Sequence, residues 1–382
     1  MPEPARRHAE LVVGLAVAAI GLATTLPLPL YGMLAARGGY GTGALALAFA
    51  CYAATLIVTA PLLGPLPDRI GRKPCVLLGV VLAAVSTLVL TLWPSIPALA
   101  VARVAQGLGM GCVTGAATAW AAELAGGGAA GGRRAAGIIA AATIGSFGAG
   151  GVLTLASVAI WPAWVPPPTF AAHLAFAALL LLLTARLPET LAAPRGPWLS
   201  RPAFPPGTLA TTLAILPGWG ATATVLTTVQ AAMAAEGRPL LGPLAACGMM
   251  IIGLAAQQTG RKMPAGRAVR LGLGVLVVGG ALTFWGVLGG GLLTLLAGAA
   301  MVGIGTYAFV YPGGLAAVAE AASGEDRARA VAGYFVVAHA GFSAVPLAVG
   351  LAVDAFGIAA ALLGAWLALA GSAAVLARAV RR

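Results

Sequence analysis

The chain has 382 residues, of which 60% are apolar and only 8% charged, with 54 glycines, 26 prolines and a net charge of +12. A soluble domain carries roughly 25% charged residues, so this composition excludes a water-soluble protein and leaves no room for a sizeable soluble domain in an integral membrane chain. The basic excess would imply a nucleic-acid partner only if the cations clustered on one accessible face, and they are spread along the whole sequence.

Apolar runs predict twelve membrane-crossing helices, at 11–34, 42–63, 75–93, 97–121, 135–160, 170–187, 208–231, 240–258, 268–287, 291–313, 329–352 and 356–377. Each is close to the ~20 residues that cross a bilayer. Arg6 and Arg7 precede the first run as in a signal peptide, but the run continues from Glu10 to Leu34 with no small-residue cleavage site, so an uncleaved first helix is expected. Pro27 and Pro29 break it, because proline removes a backbone donor. Between the sixth and seventh runs lies Pro188 to Gly207, a proline-dense hinge containing Arg195 and Arg201. The expected organisation is therefore a six-helix bundle over 1–190, a central loop over 191–207 and a second six-helix bundle over 208–382. The halves echo each other. Gly71-Arg72-Lys73 recurs as Gly260-Arg261-Lys262, and Pro27 has a counterpart in Pro217. Helices interrupted at corresponding positions of two halves are the best sequence pointer to a transporter's central site.

Lys and Arg are retained on the cytoplasmic side during insertion. With a cytoplasmic N-terminus, all of the 22 basic residues except Arg37, Arg238 and Arg103 fall in inner loops or tails. Both termini are thus expected in the cytoplasm, and Trp93, Trp161, Trp164 and Trp285 fall at outer helix ends as an interfacial belt. Arg103 alone remains inside the membrane. Cys51, Cys75, Cys112 and Cys247 lie in or beside apolar runs without metal-ligand spacing, so they read as small buried hydrophobes.

The loop after the second helix reads Gly64-Pro65-Leu66-Pro67-Asp68-Arg69-Ile70-Gly71-Arg72-Lys73. It resembles motif A of the major facilitator superfamily, Gly-x-Leu-x-Asp-Arg-x-Gly-Arg-Lys or Arg, with every defining position filled. The resemblance implies an all-α membrane protein of 12 transmembrane helices in two pseudo-symmetric six-helix bundles. It also implies that Gly64, Asp68, Arg69, Gly71, Arg72 and Lys73 latch the cytoplasmic ends of the halves when the cavity faces outward. Asp68 would face a helix N-terminus, whose partial positive charge favours a carboxylate, and Arg72 would pair with an acid. In the second copy Gln257 and Gln258 replace the Asp-Arg pair, so one side of the interface alone should carry a charged latch.

Arg103, Gln106 and Gly107 in helix four resemble motif B, Arg-x-x-Gln-Gly-x-Gly. A mid-membrane arginine costs at least roughly 2.5 to 3.5 kcal/mol on insertion scales, so it faces a cavity or a partner. Two readings stand side by side: proton coupling or anion binding, and hydrogen bonding to carbonyls freed by Pro27 and Pro29. In helix five the superfamily's antiporter signature keeps its closing Gly150-Gly151 but has Ser146 and Phe147 where the central Gly-Pro would be. All ten carboxylates fall in loops, tails or helix ends, which disfavours cationic substrates. His339, the remaining mid-membrane titratable group, has two readings, a site for a coupling proton and a satisfied packing residue. The superfamily's cavity helices, one, four, seven and ten, offer Tyr31, Thr114, Thr118, Thr224, Gln230, Tyr307 and Tyr311. With no GxxxxGK[ST] loop, the expectation is secondary active transport of a small neutral or anionic organic solute by alternating access, as proton-coupled export, with proton-coupled uptake as the alternative. A transport-inactive receptor or assembly factor on the same fold is the alternative of another class. No enzymatic constellation, metal site, cofactor or nucleic-acid partner is expected. The partners are the solute, protons and the lipid bilayer, in a monomer of a bacterial inner membrane.

Overall fold

The computed structural model describes residues 3–126, 128–163, 165–194, 198–324 and 326–380. Trp164, Arg195, Glu325, Arg381 and Arg382 lie outside the described residues. Twelve helices are long and apolar enough to cross a membrane: α1 Arg6–Gly38, α2 Thr42–Thr59, α3 Arg72–Leu92, α4 Ile96–Leu124, α5 Gly131–Ile160, α6 Pro168–Ala185, α7 Leu209–Ala235, α8 Leu241–Gly260, α9 Ala265–Gly290, α10 Leu292–Ala321, α11 Arg327–Phe356 and α12 Ile358–Ala379. No strand occurs among the described residues.

The spans match the apolar runs and mostly extend beyond them, because polar residues at the ends continue the helices. α1 is broken where its prolines fall: the α-helical part stops at Thr25, a 3₁₀ turn covers Leu28–Leu30, and Tyr31–Gly38 resumes. Pro217 does less. α7 shows a single turn residue at Ala214, then continues as Ile215–Thr224. The equivalence in sequence is thus not an equivalence in backbone. α7 and α10 instead carry π-helical segments at Val225–Val229 and Ile304–Val310. Such bulges are frequent at functional sites, and proline placement does not reveal them.

Packing divides the chain into two compact units. Unit 1 comprises Met1–Pro27 with Val58–Ser200, and unit 2 comprises Leu28–Ile57 with Arg201–Arg382. The chain therefore changes units at the α1 break and again inside α2. Within unit 1, α1 is the central helix, packed on α3, α4, α5 and α6, while α3 also packs on α4 and α6. Its core joins Val13, Ile20, Val76, Val113 and the fully buried Trp120. Within unit 2, α7 packs on α11, α9 on α10 and α12, and α8 on α10. The chain from Leu28 to Ile57 joins this unit by close backbone contact. Gly32 lies against Gln230 of α7, and Gly350 of α11 lies against Thr42 and Ala46 of α2. The Asp354 carboxylate of α11 accepts hydrogen bonds from the Thr42 and Gly43 backbone N–H groups at 2.8 and 2.9 Å, capping the start of α2.

Candidate functional site

Gly64 lies in the turn after α2, Pro67–Ile70 form one helical turn, and α3 starts at Arg72. Gly71, at φ +109°, makes this corner, and a Cβ there would run into the Glu189 carboxylate. Both the backbone angle and the close approach therefore require glycine. Glu189 caps the N-terminus of α3: its carboxylate accepts from Arg72 N at 3.1 Å and Lys73 N at 2.9 Å. Burial acts to raise the Glu189 carboxyl, but backbone N–H groups of Leu191, Arg72, Lys73 and Thr190 outweigh it and hold it below the usual range. Asp68 instead pairs with the almost fully buried Arg72 at 2.7 Å. Arg72 also reaches Glu123 at 3.3 Å and donates to Pro67 O at 2.6 Å. Arg69 stacks over Trp198 at 4.7 Å. Glu123 pairs with Arg72 and Thr190. The run Leu187 to Thr190 is thus bound into the motif, with Trp120 Nε1 donating to Pro188 O at 3.1 Å.

Of the two readings of Arg103, the geometry is that of a brace on α1. Pro27 lacks the N–H that would serve Ala23 O, and Gln106 Nε2 donates to that carbonyl at 2.8 Å. Arg103 Nη1 donates to the neighbouring Thr24 O at 3.0 Å and to Gln106 Oε1 at 3.0 Å. Gly107 is buried in the same turn. Glu10, expected at a helix end, is fully buried inside the first helix and held by both ends of a forked contact from Arg134, at 2.9 and 2.6 Å. No carboxylate lies at mid-span among the described residues.

His339 sits inside a wall of aromatic rings confined to unit 2. Phe335, His339 and Phe342 recur at helical spacing on one face of α11. Trp219 of α7 lies 5.0 Å from the His339 ring and 5.4 Å from Phe342. Tyr311 of α10 lies 6.3 Å from Trp219 and 6.1 Å from Phe335. From α2, Phe49 stands 4.9 Å from Phe342 and Tyr52 stands 6.4 Å from His339. Tyr31, completely buried, backs Phe49 at 6.2 Å. His339 Nδ1 lies 2.7 Å from Phe335 O of its own helix, so Nδ1 carries the proton and Nε2 presents a lone pair. His173 of α6 has both ring nitrogens engaged, with Thr87 Oγ1 at 3.0 Å and Ala19 O at 2.9 Å, so it is a structural tie between α6, α3 and α1.

The other cavity candidates separate. Thr114 and Thr118 lie on an exposed face of α4, with Thr114 bonding its own helix at Met110 O. Gln230 is buried and donates to Leu226 O of its own helix, while Tyr307 packs on Gly253 of α8. Thr224, expected at the substrate, lines a different space, an apolar cavity of about 610 Å³ among α7, α9, α11 and α12 together with Leu216, Thr283, Trp366 and Ser372. Thr224, Thr283, Trp366 and Ser372 each donate to a backbone carbonyl, so these four side chains offer the cavity no free donor. Sequence reading missed Trp219, Phe335, Phe342, Phe49 and Tyr52. The spacing of 335, 339 and 342 on one helix was the available signal.

No curated protein matches the chain in sequence. Solved structures do resemble it in fold. A nucleoside transporter, NupG, superposes with a TM-score of 0.74 at 15% identity, covering 98% of each chain. A bacterial homologue of the human lysosomal transporter Spinster, inward-facing and occupied, gives 0.73 at 13% identity over 100% of this chain and 97% of its own. A POT family transporter in complex with 5-aminolevulinic acid gives 0.74 at 12% identity over 96% and 94%. The family model of the Major Facilitator Superfamily matches residues 13–293. With that match over most of the chain and the twelve-helix fold that accompanies it, the protein belongs to the major facilitator superfamily and is a membrane transport protein, not an enzyme.

Proposed function

We propose that the chain moves a small neutral or anionic organic solute by alternating access as a secondary, proton-coupled exporter, with 1–190 and 208–382 as the moving halves and 191–207 joining them. The observation that carries this reading is the chemistry of the mid-membrane positions. Among the described residues they hold no carboxylate to attract a cation, and they hold one imidazole, His339, whose Nε2 is left with a lone pair. Because Arg103 is engaged with Thr24 O and Gln106, the reading leans toward neutral solutes. Asp68, whose side chain is 46% exposed, is the motif A carboxylate free to exchange partners during the cycle. The setting is a bacterial inner membrane, with both termini cytoplasmic and a monomeric unit.

Uptake by symport is the second reading, favoured by α5. This helix runs from Gly128 to Ile160 without interruption, and Ser146 and Phe147 stand where the antiporter pattern has Gly-Pro.

Purified protein in proteoliposomes, given a panel of neutral and anionic solutes and a pH gradient of either sign, tests both readings. Export by antiport moves solute against the proton flow and symport moves it with the flow. His339→Gln should abolish the pH dependence of flux, and Asp68→Asn should cut flux severalfold while the protein stays inserted. Absence of flux for every solute under either gradient would overturn the proposal in favour of a transport-inactive receptor.

A further inference from the structure

We infer that the aromatic wall of unit 2 binds an uncharged planar ring bearing both a hydrogen-bond donor and an acceptor, which, on the transport reading above, names the substrate class of that site. Trp219, Tyr311, Phe335 and Phe342 lie within membrane spans and are only partly buried, and so is His339 between them. Partly open rings held 5.0 to 6.3 Å apart on α7, α10 and α11 present faces and edges to a flat aromatic body. Phe49 and Tyr52 of α2 are buried behind them and fix the wall's shape.

Two polar atoms give the wall its specificity. His339 Nε2 accepts, since Nδ1 is committed to Phe335 O. Trp219 Nε1 donates, being covered from solvent and without a hydrogen-bond partner in the protein. Their rings stand 5.0 Å apart and perpendicular, at 83°, so donor and acceptor belong to one patch. A saturated solute would forgo the ring faces, and a solute without a donor would leave Nε2 unused. A cationic one would find no carboxylate, since none lies at mid-span among the described residues, and the charge that bears on the wall, Arg261 on Tyr311, does not bear on His339. The titratable groups facing His339 are Tyr52 from α2 and, across Trp219, Tyr311 from α10, while its own helix contributes Phe335 and the Ser343 hydroxyl on its carbonyl. A proton on Nε2 occupies the lone pair that the ring's donor needs. Proton and solute therefore compete for one atom, which is the exchange an antiporter requires.

The test is saturation-transfer NMR on nanodisc-embedded full-length protein with three soluble probes: benzamide, cyclohexanecarboxamide, which lacks the flat ring, and N,N-dimethylbenzamide, which lacks the donor. Benzamide should bind saturably and about tenfold more tightly than either analogue at about pH 8. His339→Asn should erase the preference over the dimethyl analogue, and Phe342→Leu should lower the preference over the cyclohexane analogue. Equal affinity for the three probes on the wild-type protein overturns the inference whether or not either variant folds. Ring-selective binding with no flux of any solute would sink the transport reading alone. Flux of solutes with no ring selectivity would sink this one alone.

Discussion

The two units are built from the same kind of helix but joined by different means. Lipid is as apolar as leucine, so membrane helices are held together by hydrogen bonds or by close contact of small residues, not by hydrophobic exclusion. Unit 1 relies on the first. Gln106 and Arg103 brace α1, His173 ties α1 to α3 and α6, Glu10 holds Arg134, and Arg72 is shared between Asp68 and Glu123. Unit 2 uses neutral donors, Thr306 to Gly218 O, Tyr334 to Val310 O and Trp366 to Val277 O, and adds the second. Gly260 of α8 sits directly on the Ala308 carbonyl of α10, and Gly303 of α10 on the Met249 carbonyl of α8, while no ion pair joins two membrane helices of this unit among the described residues. Gln257 and Gln258, where the charged motif is missing, thus border a contact made by backbone proximity. The loss of charge in the second copy marks a change of joining method.

The sharpest break of that comparison is at Gln106. Gln106→Leu keeps the volume but leaves Ala23 O, orphaned by Pro27, without a donor, and takes one acceptor from a buried guanidinium. A buried carbonyl left unsatisfied costs about 1–3 kcal/mol, and the stranded arginine adds to it. The thermal midpoint in detergent should therefore fall steeply. Adding Pro27→Ala supplies the missing N–H to the same carbonyl and should recover part of the loss. Strictly additive effects of the two substitutions would show that Gln106 does not serve the proline's orphan.

Much of this was legible in the sequence, for particular reasons. Helix number and extent follow from apolar run length, and the motif A corner from its glycine spacing, because both are local. Arg103 was legible as a cost, since a charge in the membrane must find a partner, but its partner lies 79 residues away and only the fold brings Thr24 to it. The Glu189 cap was hidden because a Pro-Glu-Thr run reads as a loop until α3 starts beneath it. The aromatic wall was hidden because its rings come from four helices, and a single ring in an apolar helix carries no signal. Pro217 misled because a proline removes a donor without dictating a break. α7 absorbs it with a single turn residue, whereas α1, with Pro27 and Pro29 together, comes apart.

A smaller effect is expected from the charge that caps α3. A carboxylate at a helix N-terminus contributes about 0.3–1 kcal/mol. Since the folded protein holds Glu189 below its ordinary value, the contribution is present above the unfolded carboxyl range and disappears as the pH falls through the folded value. Wild type should therefore melt above Glu189→Gln at neutral pH, and the two curves should converge on acidification. A gap that persists unchanged into acid would mean that the carboxylate's charge is not what secures α3.

A matched pair of substitutions separates the outer helices of the two units. α6 packs on both α1 and α3, with Ala177 fully buried between them. α12 packs on α9 and α11 but leaves the cavity of about 610 Å³ facing α7, with Ala365 on its lining. One substitution should thus act oppositely at the two sites. Ala177→Leu forces extra methyls into a filled interface, at a cost of about 1–3 kcal/mol. Ala365→Leu places the same atoms in open apolar space, where cavity filling commonly stabilises by about 0.5–2 kcal/mol, less whatever a lipid chain already lodged there contributes. The expected thermal shift is near zero or slightly upward. An Ala365→Leu protein as unstable as Ala177→Leu would mean that α12 closes on α7 in the membrane as tightly as α6 closes on α1, and that the units differ less in packing than in polarity.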